Sequence, residues 1–315
     1  MAYILTPYPS PDKMKITTII SAAIAATAML PLTSCVTDEL YNTSHPGHAT
    51  IAVTADWAER SDETPYPASW NLRIGDYTAE ETSGTHASRH LFEPGIHAIT
   101  AWNNAERLTV SGTTVTVGHD GDSRAGAIIC GNPGWMAAYA GQIAAEADSE
   151  YEHTAAMKQL TRRLTVTIEL TGSGADEIKS IDALLNGAAS SLDFASGAYG
   201  EAACVPLRFV REEGASMIWS ATLHLLGVSG EYGRVSGTLL TASGENITFE
   251  SDMSAMLSGF NSDKTAPLAV RASINVDKKP DDPDDPDEPG KPTEAGFTAT
   301  IGDWNKVDAG NVDAH

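Results

Sequence analysis

Residues 49–57 read Ala-Thr-Ile-Ala-Val-Thr-Ala-Asp-Trp, and Ile51, Val53, Ala55 and Trp57 recur there at every second position. A period of two puts these four side chains on one face of an extended strand and leaves Thr54 and Asp56 on the other. One face therefore goes to a core and the other to water. Working outward, the same alternation returns at 70–74, 96–102, 108–110 and 115–117. A second set opens at 164–170, where Leu164, Val166, Ile168 and Leu170 share a face, and continues through 184–185, 207–209, 218–226, 237–241, 247–249 and 268–276. Threonine and β-branched residues fill these runs, and clusters of Gly, Asn, Pro and Asp separate them. Helical periodicity is nearly absent, so the chain is predicted to be all-β and built as antiparallel sandwiches. One stretch departs from this. Residues 135–147 are rich in alanine with Met136, Tyr139 and Ile143 at helical spacing, which predicts a short helix near the middle of the chain.

The two strand sets predict two sandwiches, residues 49–157 and 158–277, with the boundary at 151–158. Composition then shifts at 278–295, which opens KKPDDPDDPDEPGKPTE. Proline and repelling carboxylates oppose both helix and ladder there, so this segment is expected to be an extended linker. In the C-terminal segment 296–315, Phe297, Ala299 and Ile301 alternate with Thr298, Thr300 and Gly302 ahead of Trp304. A lone strand cannot hold its ladder or bury its apolar face. It is expected to complete the second sandwich in cis, the linker carrying it across to an open edge, or to be donated to a neighbouring chain.

At the other end, Lys15 precedes an uncharged run, 16–32, that is too short and too weakly apolar for a comfortable membrane span, and Leu32-Thr33-Ser34-Cys35 follows. This arrangement reads as a bacterial lipoprotein signal with Cys35 as the acylated residue. Each acyl chain contributes about 0.8 kcal/mol per buried methylene, and two or more chains hold a protein on a membrane stably. Residues 1–34 are then leader and signal, with Met14 a simpler start than Met1, and 35–48 form a polar tether.

The formal charge of −22 argues against nucleic acid as a partner, because no basic stretch exceeds the pair Arg162-Arg163. With Cys35 acylated, Cys130 and Cys204 remain. A disulfide between them and two buried thiols are equally compatible with the sequence. No catalytic constellation and no cofactor motif stands out, so no enzyme activity is expected. His86, His90 and His97 suggest a metal site only weakly, since Gly84, Ser88, Pro94 and Gly95 around them predict loop. His119-Asp120-Gly121-Asp122-Ser123 lacks the acidic ligands that would complete a calcium loop, and 281–288 reads as a repulsive spacer. The six tryptophans fall mostly at strand positions, with Trp102 and Trp135 beside Asn103 and Gly134 as the ones a sugar could reach.

Several of these stretches together resemble the fimbrillin family of the Bacteroidales, and within it the lipid-anchored FimB-type minor subunits. They are 32–35, the first strand 49–57, Pro94-Gly95 with the strand to Asn103, 160–166, and the Leu185-Asn186-Gly187, Ser191-Leu192-Asp193 and Ser196-Gly197 run. The resemblance covers most of the mature chain. It implies two transthyretin-like β-sandwich domains, a role as a fimbrial anchor at the outer membrane, and fimbrial subunits as partners joined by strand exchange. Polymerising relatives are opened by an arginine-specific protease, whereas here Arg60, Arg73 and Arg89 stand in no obvious processing motif, which favours an anchor. The competing reading is a surface glycan-binding lipoprotein.

Overall fold

The computed structural model describes residues 45–118, 129, 131–214, 217–278 and 297–307. The first ten strands are β1 Ala49–Asp56, β2 Trp70–Ile74, β3 Tyr77–Glu81, β4 Thr85–Ala87, β5 Gly95–Asn103, β6 Leu108–Ser111, β7 Thr114–Val117, β8 Ala137–Ala145, β9 Ser149–Ala156 and β10 Lys158–Gln159. The later ones are β11 Arg162–Thr171, β12 Ile178–Ala189, β13 Ser191–Asp193, β14 Ala198–Tyr199, β15 Ala202–Arg208, β16 Val210–Arg211, β17 Ile218–Leu225, β18 Arg234–Thr241, β19 Asn246–Asp252, β20 Leu268–Lys278, β21 Phe297–Ile301 and β22 Asn305–Val307. Among the described residues helix is confined to one 3-10 turn, Ala175–Glu177, and one α turn, Ser254–Leu257. The chain is all-β.

Two sheets, ordered β4-β1-β9 and β10-β8-β5-β2-β3, enclose the first core. Ile51, Val53, Leu72, Ile74, Ile99 and Met157 fill it, and Trp57 and Trp70 are buried among them. A larger core lies between the sheets β16-β17-β11-β20-β21, with β22 also on β20, and β15-β12-β18-β19. β11 is its central strand. Leu164, Val166, Ile168 and Leu170 enter the core, while on the opposite face Thr165 and Thr167 pair with Thr222 (3.1 Å) and Ser220 (3.3 Å) across to β17. Two pairings, β1 with β9 and β11 with β20, run parallel. Alternation specifies which face a residue takes but not the direction of the neighbouring strand.

A fifth, small sheet, β14-β13-β7-β6, ties the early part of the chain to the later one. Val115 faces Leu192 in its register, and Val115, Val117, Ile129 and Met136 all belong to the larger core. Fully burying each large apolar side chain contributes about 1.5–3 kcal/mol. A chain that starts at Lys158 leaves all four behind and is expected to unfold at clearly lower denaturant than the whole protein. Equal midpoints would show that the hairpin of β6 and β7 adds nothing to that core.

The helix expected over 135–147 is instead strand β8. Alanine and glycine there accept either period, and pairing with β5 from Ala138 to Ala145 decides the matter. The observed period is two. Met136 and Ala138 point into the larger core, whereas Ala137, Tyr139 and Ile143 pack on the first.

Candidate assembly site

Strand β20 buries Leu268, Val270, Ala272, Ile274 and Val276 and has β11 on one side. Its other side is covered by β21, in a register that sets Lys278 opposite Phe297, Val276 opposite Ala299 and Ile274 opposite Ile301, and then by β22, with Ala269 opposite Val307. Between them Gly302 donates its N–H to the Ser273 carbonyl at 2.8 Å. Ile301 packs on the core from this edge. Trp304 is buried, and its Nε1 donates to Ser251 Oγ at 2.8 Å. Because Ser251 lies in β19 of the facing sheet, the indole closes the side of the sandwich and satisfies its one polar atom at once. Since Lys278 and Phe297 are direct neighbours, 279–296 leaves and returns at the same place. The connection joins an antiparallel pair and does not carry the chain across the sandwich.

The far end of β20 is pinned by its neighbours. Gly172 has φ +92°, and a Cβ there would lie 2.4 Å from the Val276 carbonyl, so only glycine lets the 172–174 turn approach so closely. Ser173 N–H donates to Asp277 at 3.2 Å, which with the Asn275 amide holds that carboxyl below its usual range. Lys278 pairs with Glu177, which raises its pKa.

An open flank lies in the first sandwich. β10 covers β8 only at Ala137 and Ala138, and Tyr139–Ala145 carry no strand on the side away from β5 among the described residues. Tyr139 lies over Gly141, where a Cβ would meet the phenol oxygen at 2.1 Å, and its hydroxyl meets His153 Nε2 on β9 at 2.8 Å. Burial raises the pKa of the phenol and lowers that of the imidazole, so the pair is neutral and spans the gap between the two sheets.

The remaining expected residues are placed as follows. His86 and His97 stand in strands β4 and β5, not in loops. His86 is buried between the Tyr77 hydroxyl (3.0 Å) and Glu81 (3.3 Å), His90 stacks on Tyr77 at 4.6 Å, and His97 bonds the Glu93 carbonyl at 2.7 Å. Backbone N–H groups of Ser83 and Thr82 hold the Glu81 carboxyl down at about 2, with His86 adding to them. These rings form an aromatic ladder, and no group of three metal-ligating side chains converges among the described residues. Trp102 and Trp135 are half-buried, the first under Arg73 and the second edge-on to Trp57 at 6.2 Å. Arg60 lies over Tyr66 and bonds the Thr64 carbonyl, and Arg89 is exposed. Cys204 is a free, half-buried thiol. Cys35, Cys130, residues 119–123 and the 281–288 run lie outside the described residues, as do the side chains of Phe297 and Ala299. Among the described residues no helix is long and apolar enough to cross a membrane.

No sequence-family profile matches the chain, and no curated protein matches it either. Solved structures do. A candidate adhesin from Bacteroides ovatus superposes with a TM-score of 0.53 at 12% identity, covering 83% of this chain and 99% of its own. A second from the same species gives 0.53 at 7% identity, with 74% and 90% covered. The fold is that of these two proteins. The fimbrial anchor protein Mfa2 from Porphyromonas gingivalis reaches 0.47 at 14% identity, over 81% of this chain and 97% of that one.

Proposed function

We propose that this chain is a non-enzymatic, lipid-anchored fimbrial subunit of the fimbrillin family, held at the outer membrane through Cys35 and joined to fimbrial subunits by strand exchange. The observation that carries this reading is the fold shared with the Bacteroides ovatus candidate adhesin over nearly all of that protein's length. The lipobox at 32–35 and the polar tether to residue 48 support attachment by the N-terminus. Residues 49–157 and 158–277 act as its two domains, docked through the β6–β7 hairpin. The C-terminal strand stays in cis. The free flank of β8 is the edge assigned to an incoming strand, which would gain main-chain hydrogen bonds and a half-buried row at Tyr139 and Ile143.

Two measurements test this. Cys35→Ala should move the protein from the membrane to the soluble fraction and release fimbriae into the medium, and undiminished membrane retention rules out the anchor. Gln142→Lys with Ala144→Lys puts charge on the exposed positions of the β8 flank. It should abolish co-purification of fimbrial subunits while leaving the melting temperature within a degree or two, and unchanged co-purification moves the partner to another edge.

A further inference from the structure

The outer face of the sheet β15-β12-β18-β19 is hollowed into a trough of about 790 Å³. Strand β12 shapes it. Its register shifts against β18 between Ile178 and Ser180 and against β15 between Leu185 and Ala188, so the stretch between is bent by an irregularity at each end. At the middle of that stretch Ala183 faces Gly237, which in turn faces Phe249. A Cβ on Gly237 would lie 2.6 Å from the Phe249 ring and 2.8 Å from the Ala183 Cβ, so glycine lets β18 lie close over the ring beneath it. The volume falls within the range of about 300–1,000 Å³ that ligand pockets occupy.

Two rows of side chains line the trough, each crossing all four strands in register. One row is Arg208, Asp182, Thr238 and Thr248, and the other is Pro206, Leu184, Ser236 and Glu250. Leu184, on an inner strand, is 36% exposed beside Pro206 and gives the floor an apolar patch. The six polar side chains of the two rows have no partner among the described residues. Arg208 and Asp182 are direct neighbours across β15 and β12, yet no ion pair joins them. Hydroxyls that both give and accept, two carboxylates that accept and a guanidinium that donates thus stand free around an apolar centre.

We propose that this trough binds a neutral oligosaccharide lying across the four strands. Three intervals of about 4.8 Å make each row about 14 Å long, which suits several linked pyranose rings better than one. A pyranose has an apolar C–H face and a rim of hydroxyls. The face would rest on Leu184 and Pro206, and adjacent hydroxyls would bridge Asp182 to Arg208 and Ser236 to Glu250. Two carboxylates deny the trough to a polyanion, and the guanidinium opposes a polycation. A peptide fits less well, since the trough crosses strands whose backbone groups are already laddered and has no free strand edge along its length. The proposal rests neither on Cys35 nor on strand exchange.

Calorimetric titration of the full chain carrying Cys35→Ala tests it, with maltotetraose, cellotetraose, mannotetraose, their monosaccharides and a short basic peptide as probes. At least one tetrasaccharide is expected to saturate at one per chain, and its monosaccharide to bind at least about tenfold more weakly, a difference of about 1.4 kcal/mol. Raising the salt to about 0.5 M should leave that affinity unchanged within about twofold, because salt screens attraction between charges and the sugar carries none. Asp182→Ala and Arg208→Ala should each weaken binding about tenfold. Ser236→Arg fills the trough from the solvent side and should abolish binding while moving the melting temperature by no more than about two degrees. It should also leave co-purification of fimbrial subunits intact, whereas Gln142→Lys with Ala144→Lys should leave sugar affinity intact, so the two sites fail separately. No binding of any of the three tetrasaccharides, undiminished binding by Ser236→Arg, or an affinity that collapses in salt overturns the proposal. Tighter binding of the peptide than of every tetrasaccharide overturns the sugar and assigns the trough to a protein partner.

Discussion

A chain ending at Lys291 is expected to melt about 10 °C or more below the whole protein and to aggregate on heating. The truncation removes β21, β22 and Trp304 together. Losing a buried tryptophan costs about 3–5 kcal/mol, and for a protein of this size each kcal/mol moves the melting temperature by about 2–4 °C. The loss does not stop at the indole. Ser251 Oγ loses its donor, Ile301 no longer covers the core, and β20 becomes an edge from Ala269 to Lys278 with its backbone groups bare and an apolar face beside them. Such an edge pairs with another copy, so aggregation should accompany the lower melting point. Trp304→Ala separates the two effects, since it removes the wedge and keeps the strand. It should account for about 3 kcal/mol of the loss without inducing aggregation. If the truncated chain melts with the full one and stays monomeric, the C-terminal strand contributes nothing in cis, and donation to a neighbour takes its place.

That strand also shows how far the sequence can be read. Phe297, Ala299 and Ile301 alternate at period two, which is enough to identify a strand that needs a partner. The choice of partner depends on a strand that ends at Lys278, across a segment whose prolines and carboxylates carry no directional information. The sequence therefore suggests a crossing where a hairpin-like return to β20 is found. Strand β8 reads as a helix for a related reason. Alanine and glycine impose no period of their own, and only its position between two cores makes 136 and 138 face one way and 137 and 139 the other. The neighbourhood of Arg163 is almost invisible in the sequence, since His224 is far from it along the chain and only the register of β11 on β17 sets the two side by side. The strands, in contrast, are legible wherever one face is buried and the other wet, as in β1, β15 and β17.

The second large effect is a dependence of stability on alkaline pH set by Lys264. Its pKa falls from 10.5 to about 7 on folding, chiefly through burial and then through Arg162. Below pH 7 the side chain is charged in both states, and the cost of burying the ammonium is fully present. Between pH 7 and 10.5 the unfolded chain binds a proton that the folded chain has released, so stability rises with pH across that window. Each tenfold change in proton affinity corresponds to about 1.4 kcal/mol, but Lys264 keeps partial contact with solvent, and about 2 kcal/mol in total is the expected gain. Lys264→Met escapes the penalty at the expense of one donor to the Leu226 carbonyl. It should be the more stable protein at about pH 6.5, by about 1 kcal/mol after that loss, and should lose this advantage by about pH 9.5. Urea midpoints of the two proteins at both pH values check this, and parallel curves would mean that the ammonium is solvated after all. Arg162, Arg163, His224, Glu63 and Asp263 are common to both proteins, so the difference isolates the one side chain.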